Sequence, residues 1–120
     1  MEQIYDTLIL GGGPAGLTSA IYTGRYNMKT LVIAKSFGGT ANLAGELENW
    51  PGFSGSGMDL MKSIKDQSAK FGAEFLEANV EKAEKVGKEF VLHYGDKQVK
   101  GKTLIIALGT EHRQLNISGE

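Results

Sequence analysis

The feature that most restricts this chain is a glycine run between an apolar strand and a helix. Gly11, Gly13 and Gly16 follow Ile4–Leu10 (IYDTLIL) in the spacing G-x-G-x-x-G. The strand residues are mostly β-branched, aromatic or leucine, and their near-continuous apolar end suits a strand covered on both faces. Pro14 fits the first turn of a helix, where no N–H is needed, and Ala15, Leu17, Ala20 and Ile21 carry a helical pattern to about residue 26. Residues 30–34 (TLVIA) then form a second short strand. Strand, tight turn, helix, strand is a βαβ unit, and its crossover is expected to be right-handed. In that setting each glycine has a task. Gly11 permits the sharp turn, Gly13 lets backbone approach a pyrophosphate, and Gly16 lets the helix pack closely on the strand. The helix start offers N–H groups and the positive end of its dipole to phosphates. The pattern predicts a dinucleotide site; read only as folding, the same glycines serve the turn.

Roughly 20 residues beyond such glycines a carboxylate usually holds the adenosine ribose. Here Ile33, Ala34, Lys35 and Ser36 stand in that place, with no Asp or Glu. Ribose recognition would fall to backbone, Ser36 or Lys35, and Lys35 either meets a phosphate or points to solvent. Residues 37–57 are expected to be irregular, with Gly38-Gly39, Gly45, Trp50-Pro51-Gly52 and Gly55-Ser56-Gly57. Paired glycines would let a flat ring lie against backbone, and Asn49 can donate and accept at a heteroaromatic edge. The other reading makes these ordinary turn residues, with Trp50 plugging the core. Ser56 and Asp59 have the spacing of a capping box, using Asp in place of Glu or Gln. A helix follows over 58–71, with Met61, Ile64, Ser68 and Phe71 on its inner face, Met58 at core or rim, and Lys62, Lys65, Asp66 and Lys70 on the wet face. Short strands are predicted over 73–76, 80–86, 89–94 and 97–100, the last three as an antiparallel hairpin or meander. Residues 103–108 (TLIIAL) make a third buried strand running into Gly109-Thr110.

Composition removes several classes of function. Glycine is 17 of 120 residues, about 14%, roughly twice the usual ~7%. With two prolines this is no disordered or collagen-like chain. Thirteen basic and fourteen acidic residues give a net charge of -1, without the basic stripe that nucleic-acid binding needs. No apolar run approaches the ~20 residues of a membrane span, and the start is not that of a signal peptide. A soluble, cytoplasmic protein is expected. The absence of cysteine excludes disulfides, thiolate metal sites and any thiol chemistry by this chain itself. His93 and His112 lack a histidine or carboxylate at metal-ligand spacing, and no serine sits in a G-x-S-x-G elbow.

Three stretches carry a family resemblance: YDTLILGGGPAGLTSAIYTGR, then GGT with LENWPGF, then TLIIALGTEHRQLNISGE. Residues 4–120 resemble the N-terminal FAD-binding segment of low-molecular-weight thioredoxin reductases of the bacterial and archaeal type. ENWPGF is the most specific piece, because most other flavoproteins built from two dinucleotide folds lack it. The resemblance implies that Gly11, Gly13, Pro14, Ala15 and Gly16 cradle the FAD pyrophosphate. Ala34 and Lys35 would lie beside the adenosine, and Val80 would meet adenine through its backbone. Gly39 and Thr40 take the place of a glycine–glutamine pair near the isoalloxazine, and Thr40 departs from the usual glutamine. Asn49 would hydrogen-bond the flavin, while Ala107, Gly109 and Thr110 would close over the cofactor.

The expected fold is a three-layer α/β domain of Rossmann-like, FAD/NAD(P)-binding kind. A central parallel sheet from 4–10, 30–34 and 103–108 has helix 14–26 on one face and an antiparallel β-meander on the other. Members of the resembled family continue into an NADPH-binding domain with a Cys-x-x-Cys pair, then return to finish the FAD domain. Residues 1–120 are therefore expected to be an incomplete FAD-binding domain, passing electrons in the whole protein from NAD(P)H through FAD to a protein disulfide, with a thioredoxin-like protein as partner. Self-association into a homo-oligomer is expected to cover sheet edges left bare. Two other readings stay open: part of a cysteine-free flavoprotein resembling ferredoxin–NADP reductases, or a non-catalytic, self-associating Rossmann-like module.

Overall fold

The computed structural model describes residues 3–109. Strand β1 (Ile4–Leu10) leads through the glycines into helix α1 (Pro14–Arg25), and strand β2 (Thr30–Ala34) returns parallel to β1 with Thr7 opposite Thr30 and Leu10 opposite Ile33. This is the βαβ unit expected from the glycine pattern. Strand β5 (Glu74–Glu77) adds in parallel beyond β2, and β8 (Lys97–Ile106) runs parallel to β1 on its other side. Strands β7 (Glu89–Tyr94) and β6 (Lys82–Val86) continue antiparallel from β8, giving the order β5-β2-β1-β8-β7-β6.

Strand alternation divides the apolar residues between two cores. Ile9 and Val32 meet Leu17 and Ala20 of α1 and Leu60, Met61 and Ile64 of helix α2 (Gly57–Lys70). Leu8, Leu10, Leu31 and Ile33 point the other way, against Leu92 of β7 and the flanking Val80, Tyr94 and Val99. Helices cover one face and the meander the other, which explains why β2 is buried along its whole length. The expected three layers are present.

One expected boundary is absent. Residues 97–100 and 103–108 were predicted as separate strands, yet β8 is continuous from Lys97 to Ile106. Gly101 pairs with Phe90 on one side and Tyr5 on the other, so the strand belongs to meander and parallel sheet at once. A Cβ at Gly101 would lie 2.6 Å from Cγ of Leu8. The glycine that reads as a break in sequence is where the core leucine needs the space.

The segment 37–57 is more ordered than expected. It holds a 3₁₀ turn (Gly39–Leu43) and a small hairpin of β3 (Leu47–Trp50) and β4 (Phe53–Gly55). Pro51 followed by Gly52 at φ 82° provides the chemistry of a type II turn. Trp50 remains 40% exposed, so it is not a core plug. Ser56 Oγ accepts the Asp59 N–H at 3.1 Å, as the capping spacing predicted. Met61, Ile64 and Ser68 are buried, whereas Met58 and Phe71 are exposed.

Candidate functional site

At the carboxyl end of the parallel sheet, four loops are tied to one another by backbone. The Gly11 N–H donates to the Ile33 carbonyl at 3.0 Å, and Ala107 N–H to that of Leu10 at 2.8 Å. Ala78 N–H donates to the Ala34 carbonyl at 2.9 Å, and Gly38 N–H to that of Gly12 at 2.7 Å. An open parallel sheet presents its ligand crevice at this end.

The glycines separate into two groups when a Cβ is placed on each. Gly11, at φ 127°, would drive one into the Ala107 carbonyl. Gly16 would strike the Gly11 carbonyl oxygen, so its absence of a side chain lets α1 approach β1. Gly12, which the sequence pattern leaves unassigned, would place a Cβ 2.6 Å from the Phe37 ring and 3.0 Å from the Ala34 Cβ. Gly13 is different. Its backbone (φ -84°, ψ -166°) is open to any residue. The nearest atoms to an added Cβ are Gly39 Cα at 3.9 Å and the Gly38 oxygen at 4.0 Å. The fold does not require glycine there, and the space stays open.

Gly13 is also the N-cap of α1, with no side-chain cap and no acidic residue in the first turn. Pro14 fills the position without an N–H, and Leu17 N–H makes a helical bond to the Gly13 carbonyl at 3.0 Å. The earlier N–H groups of the turn, on Ala15 and Gly16, are left for a partner outside the helix, and Ala15 is exposed. Uncapped donors, the positive end of the helix dipole and a clear approach past Gly13 are what an anionic phosphate needs.

Among the other anticipated residues, Gly39 faces Gly13 across the crevice, Ala34 is buried at the end of β2, and Lys35 and Thr40 are exposed. Ala107 is held against Leu10 and Gly109 follows it at φ 69°. Asn49 is exposed on β3, and Val80 packs under the meander in the second core. Neither takes part in the contacts that join the glycine loops, and Thr110 lies outside the described residues.

Sequence reasoning missed what holds the 37–39 loop. The Phe37 ring meets Phe75 edge-on at 5.6 Å, and Lys65 Nζ stands 4.3 Å from the first ring and 5.0 Å from the second. Lys65, expected on the wet face of α2, is half-buried over these aromatics. Asn42 Nδ2 donates to the Phe37 carbonyl at 2.8 Å. An asparagine just past two glycines is a sequence hint of such a local bond; the Lys65 contact depends on tertiary packing and leaves no local trace.

Elsewhere the chemistry is modest. His93 is bonded to Glu84 at 2.8 Å, and that bond, with Lys82 nearby, holds the Glu84 carboxyl below the ordinary range. Among the described residues no three His, Asp or Glu are grouped to hold a metal; His112 lies outside them. A cleft of about 400 Å³ lined by Tyr5, Glu74, Tyr94 and Lys100 opens at the opposite end of the strands. Burial raises the Tyr5 phenol pKa there, with Glu74 adding to the shift. No described helix is long and apolar enough to cross a membrane.

Comparison with known proteins places this arrangement. Residues 5–120 match the family model described as pyridine nucleotide-disulphide oxidoreductase. The chain is 38% identical to a thioredoxin reductase of Bacillus subtilis and 41% to one of Listeria monocytogenes, in each case over 99% of this chain and 38% of the relative. It thus spans about two fifths of the length of these relatives. The solved thioredoxin reductase of Streptococcus pyogenes superposes with a TM-score of 0.90 at 36% identity, over 99% of this chain and 40% of that one.

Proposed function

This chain belongs to the pyridine nucleotide-disulphide oxidoreductase family, and from that membership we propose that it is the FAD-holding part of a thioredoxin reductase-like flavoprotein. The observation that carries the reading is the cradle at α1, where the uncapped first turn meets a glycine whose missing side chain the fold itself does not need. Gly11, Gly13, Pro14, Ala15 and Gly16 would hold the pyrophosphate, with the Ala15 and Gly16 N–H groups donating. Ala34, Lys35 and the Val80 backbone would border the adenosine. Gly39, Thr40 and Asn49 would stand at the flavin, with Ala107, Gly109 and Thr110 closing the crevice.

When bound, the flavin supplies the hydride and electron transfer between NADPH and a protein disulfide. What this chain's own residues do is bind and orient. Donors fixed on a helix end need no rearrangement to meet the charge. Having no cysteine, the chain contributes no thiol, so in this reading a redox thiol pair would come from residues outside it. We assign residues 1–120 to one FAD-binding unit of that protein. The same kinship supports, as further parts of this proposal, a thioredoxin-like acceptor, a cytoplasmic setting and a homo-oligomeric assembly.

The test is flavin retention. Purified chain incubated with FAD and passed through a desalting column is expected to keep flavin absorbance at close to one equivalent. A folded protein that emerges colourless at saturating FAD refutes the proposal.

A further inference from the structure

The residues at the end of β2, where a ribose-binding carboxylate ordinarily stands, are Ile33, Ala34, Lys35 and Ser36, with no Asp or Glu among them. The sheet register puts a carboxylate beside Ala34. Ala34 pairs directly with Glu77, the last residue of β5. The two residues share a face. On β2, Val32 belongs to the helix-side core while Leu31 and Ile33 belong to the other, so alternation turns Ala34 to the helix side. On β5, Phe75 packs in the helix-side core and Leu76 in the other, which turns Glu77 to the helix side as well. That is the side on which the first turn of α1 stands.

Glu77 is exposed, and its carboxylate makes no hydrogen bond or ion pair with another described residue. Its backbone is fixed nonetheless, because Ala78 N–H bonds the Ala34 carbonyl at 2.9 Å. Ala34 in turn borders the glycine turn, since a Cβ on Gly12 would lie 3.0 Å from the Ala34 Cβ. Neighbouring strands are about 4.8 Å apart, a distance that a glutamate arm spans and an aspartate arm does not. We infer that Glu77 replaces the missing β2 carboxylate and holds the 2′,3′-diol of the FAD adenosine ribose, accepting hydrogen bonds from its two hydroxyls.

This inference rests on the FAD reading above, and the experiment separates the two. Wild-type chain and Glu77→Ala are titrated with FAD and with the FAD analogue whose adenosine ribose lacks the 2′-hydroxyl, and thermal unfolding is measured without ligand. A charged acceptor bonded to a hydroxyl corresponds to an affinity loss on the order of tenfold when removed. Wild type is expected to prefer FAD over the analogue, whereas Glu77→Ala binds both equally, about tenfold more weakly than wild type binds FAD, with its unfolding temperature unchanged. A merely structural role would not move the ratio between the two ligands. The inference is overturned if wild type binds FAD without discriminating the analogue, or if Glu77→Ala keeps wild-type affinity and discrimination. Absence of FAD binding by folded wild type overturns the function reading itself and removes this inference with it.

Discussion

Replacing Gly13 and Gly16 in turn by alanine tests whether Gly13 serves a ligand while Gly16 serves the fold. At Gly13 the added Cβ has its nearest neighbours at 3.9 and 4.0 Å, ordinary van der Waals contact. The backbone at φ -84° and ψ -166° suits alanine. Alanine lowers the entropy of the unfolded chain, worth about 0.4–1 kcal/mol, and loses roughly 0.5–1 kcal/mol as an N-cap relative to glycine. The two effects nearly cancel, so Gly13→Ala is expected to unfold within about 0.5 kcal/mol of wild type. The same methyl lies on the approach to the uncapped first turn and is expected to weaken FAD at least tenfold, about 1.4 kcal/mol. Gly16→Ala behaves in the opposite order. Its Cβ meets the Gly11 carbonyl oxygen, and relieving that overlap in a packed helix–strand contact costs about 1–3 kcal/mol. A chain of this size then melts roughly 5–15 °C lower. Circular-dichroism melts give the stability and flavin fluorescence titration the affinity. Equal stability losses in Gly13→Ala and Gly16→Ala, or wild-type FAD binding by Gly13→Ala, would overturn this division of roles.

Two further perturbations test the fold beneath the site. The Thr7 hydroxyl is buried at 1% exposure and has no hydrogen-bond partner among the described residues; Thr7→Val removes an unmet polar group at constant shape, and chemical denaturation should show a gain of about 1 kcal/mol. Asp6 accepts the Lys29 N–H at 2.7 Å and sits 3.4 Å from Lys102 Nζ, and these contacts, the backbone bond foremost, hold its carboxyl below the ordinary range. A lowered folded-state pKa adds stability above the unfolded value and loses it as pH falls through the folded one. Melting temperature recorded over roughly pH 3 to 6 should therefore show a shallower acid decline for Asp6→Asn than for wild type; parallel curves would remove Asp6 as a contributor.

The part of the fold legible in sequence is the part governed by local rules. The run Ile4–Leu10, the proline at helix position one and the spacing of Gly11, Gly13 and Gly16 settle β1, α1 and β2, because strand alternation, capping and turn geometry act within a few residues. The tight turn at Gly11 and the close helix–strand approach at Gly16 are legible for the same reason. What was hidden depends on residues far apart. Gly101 reads as a strand break until Leu8 is seen filling the space above it. Trp50 reads as a core residue until the hairpin places it at the rim. Lys65 has the helical spacing of a solvent residue, and only the meeting of α2, β5 and the 37–39 loop brings it over two phenylalanines. The Ala34–Glu77 pairing is set by parallel register between strands separated by a helix and a hairpin, which no local spacing records.

The first turn of α1 is proposed as the place where a dinucleotide phosphate is held. Amide NMR of the uniformly ¹⁵N-labelled chain during an FAD titration tests it residue by residue. Saturable shifts are expected to be largest at Gly13, Ala15 and Gly16, and to be lost in Gly13→Ala. Saturable binding whose largest shifts lie away from that turn, at the Tyr5–Glu74 cleft for example, would contradict it, as would a folded chain whose spectrum FAD leaves unchanged.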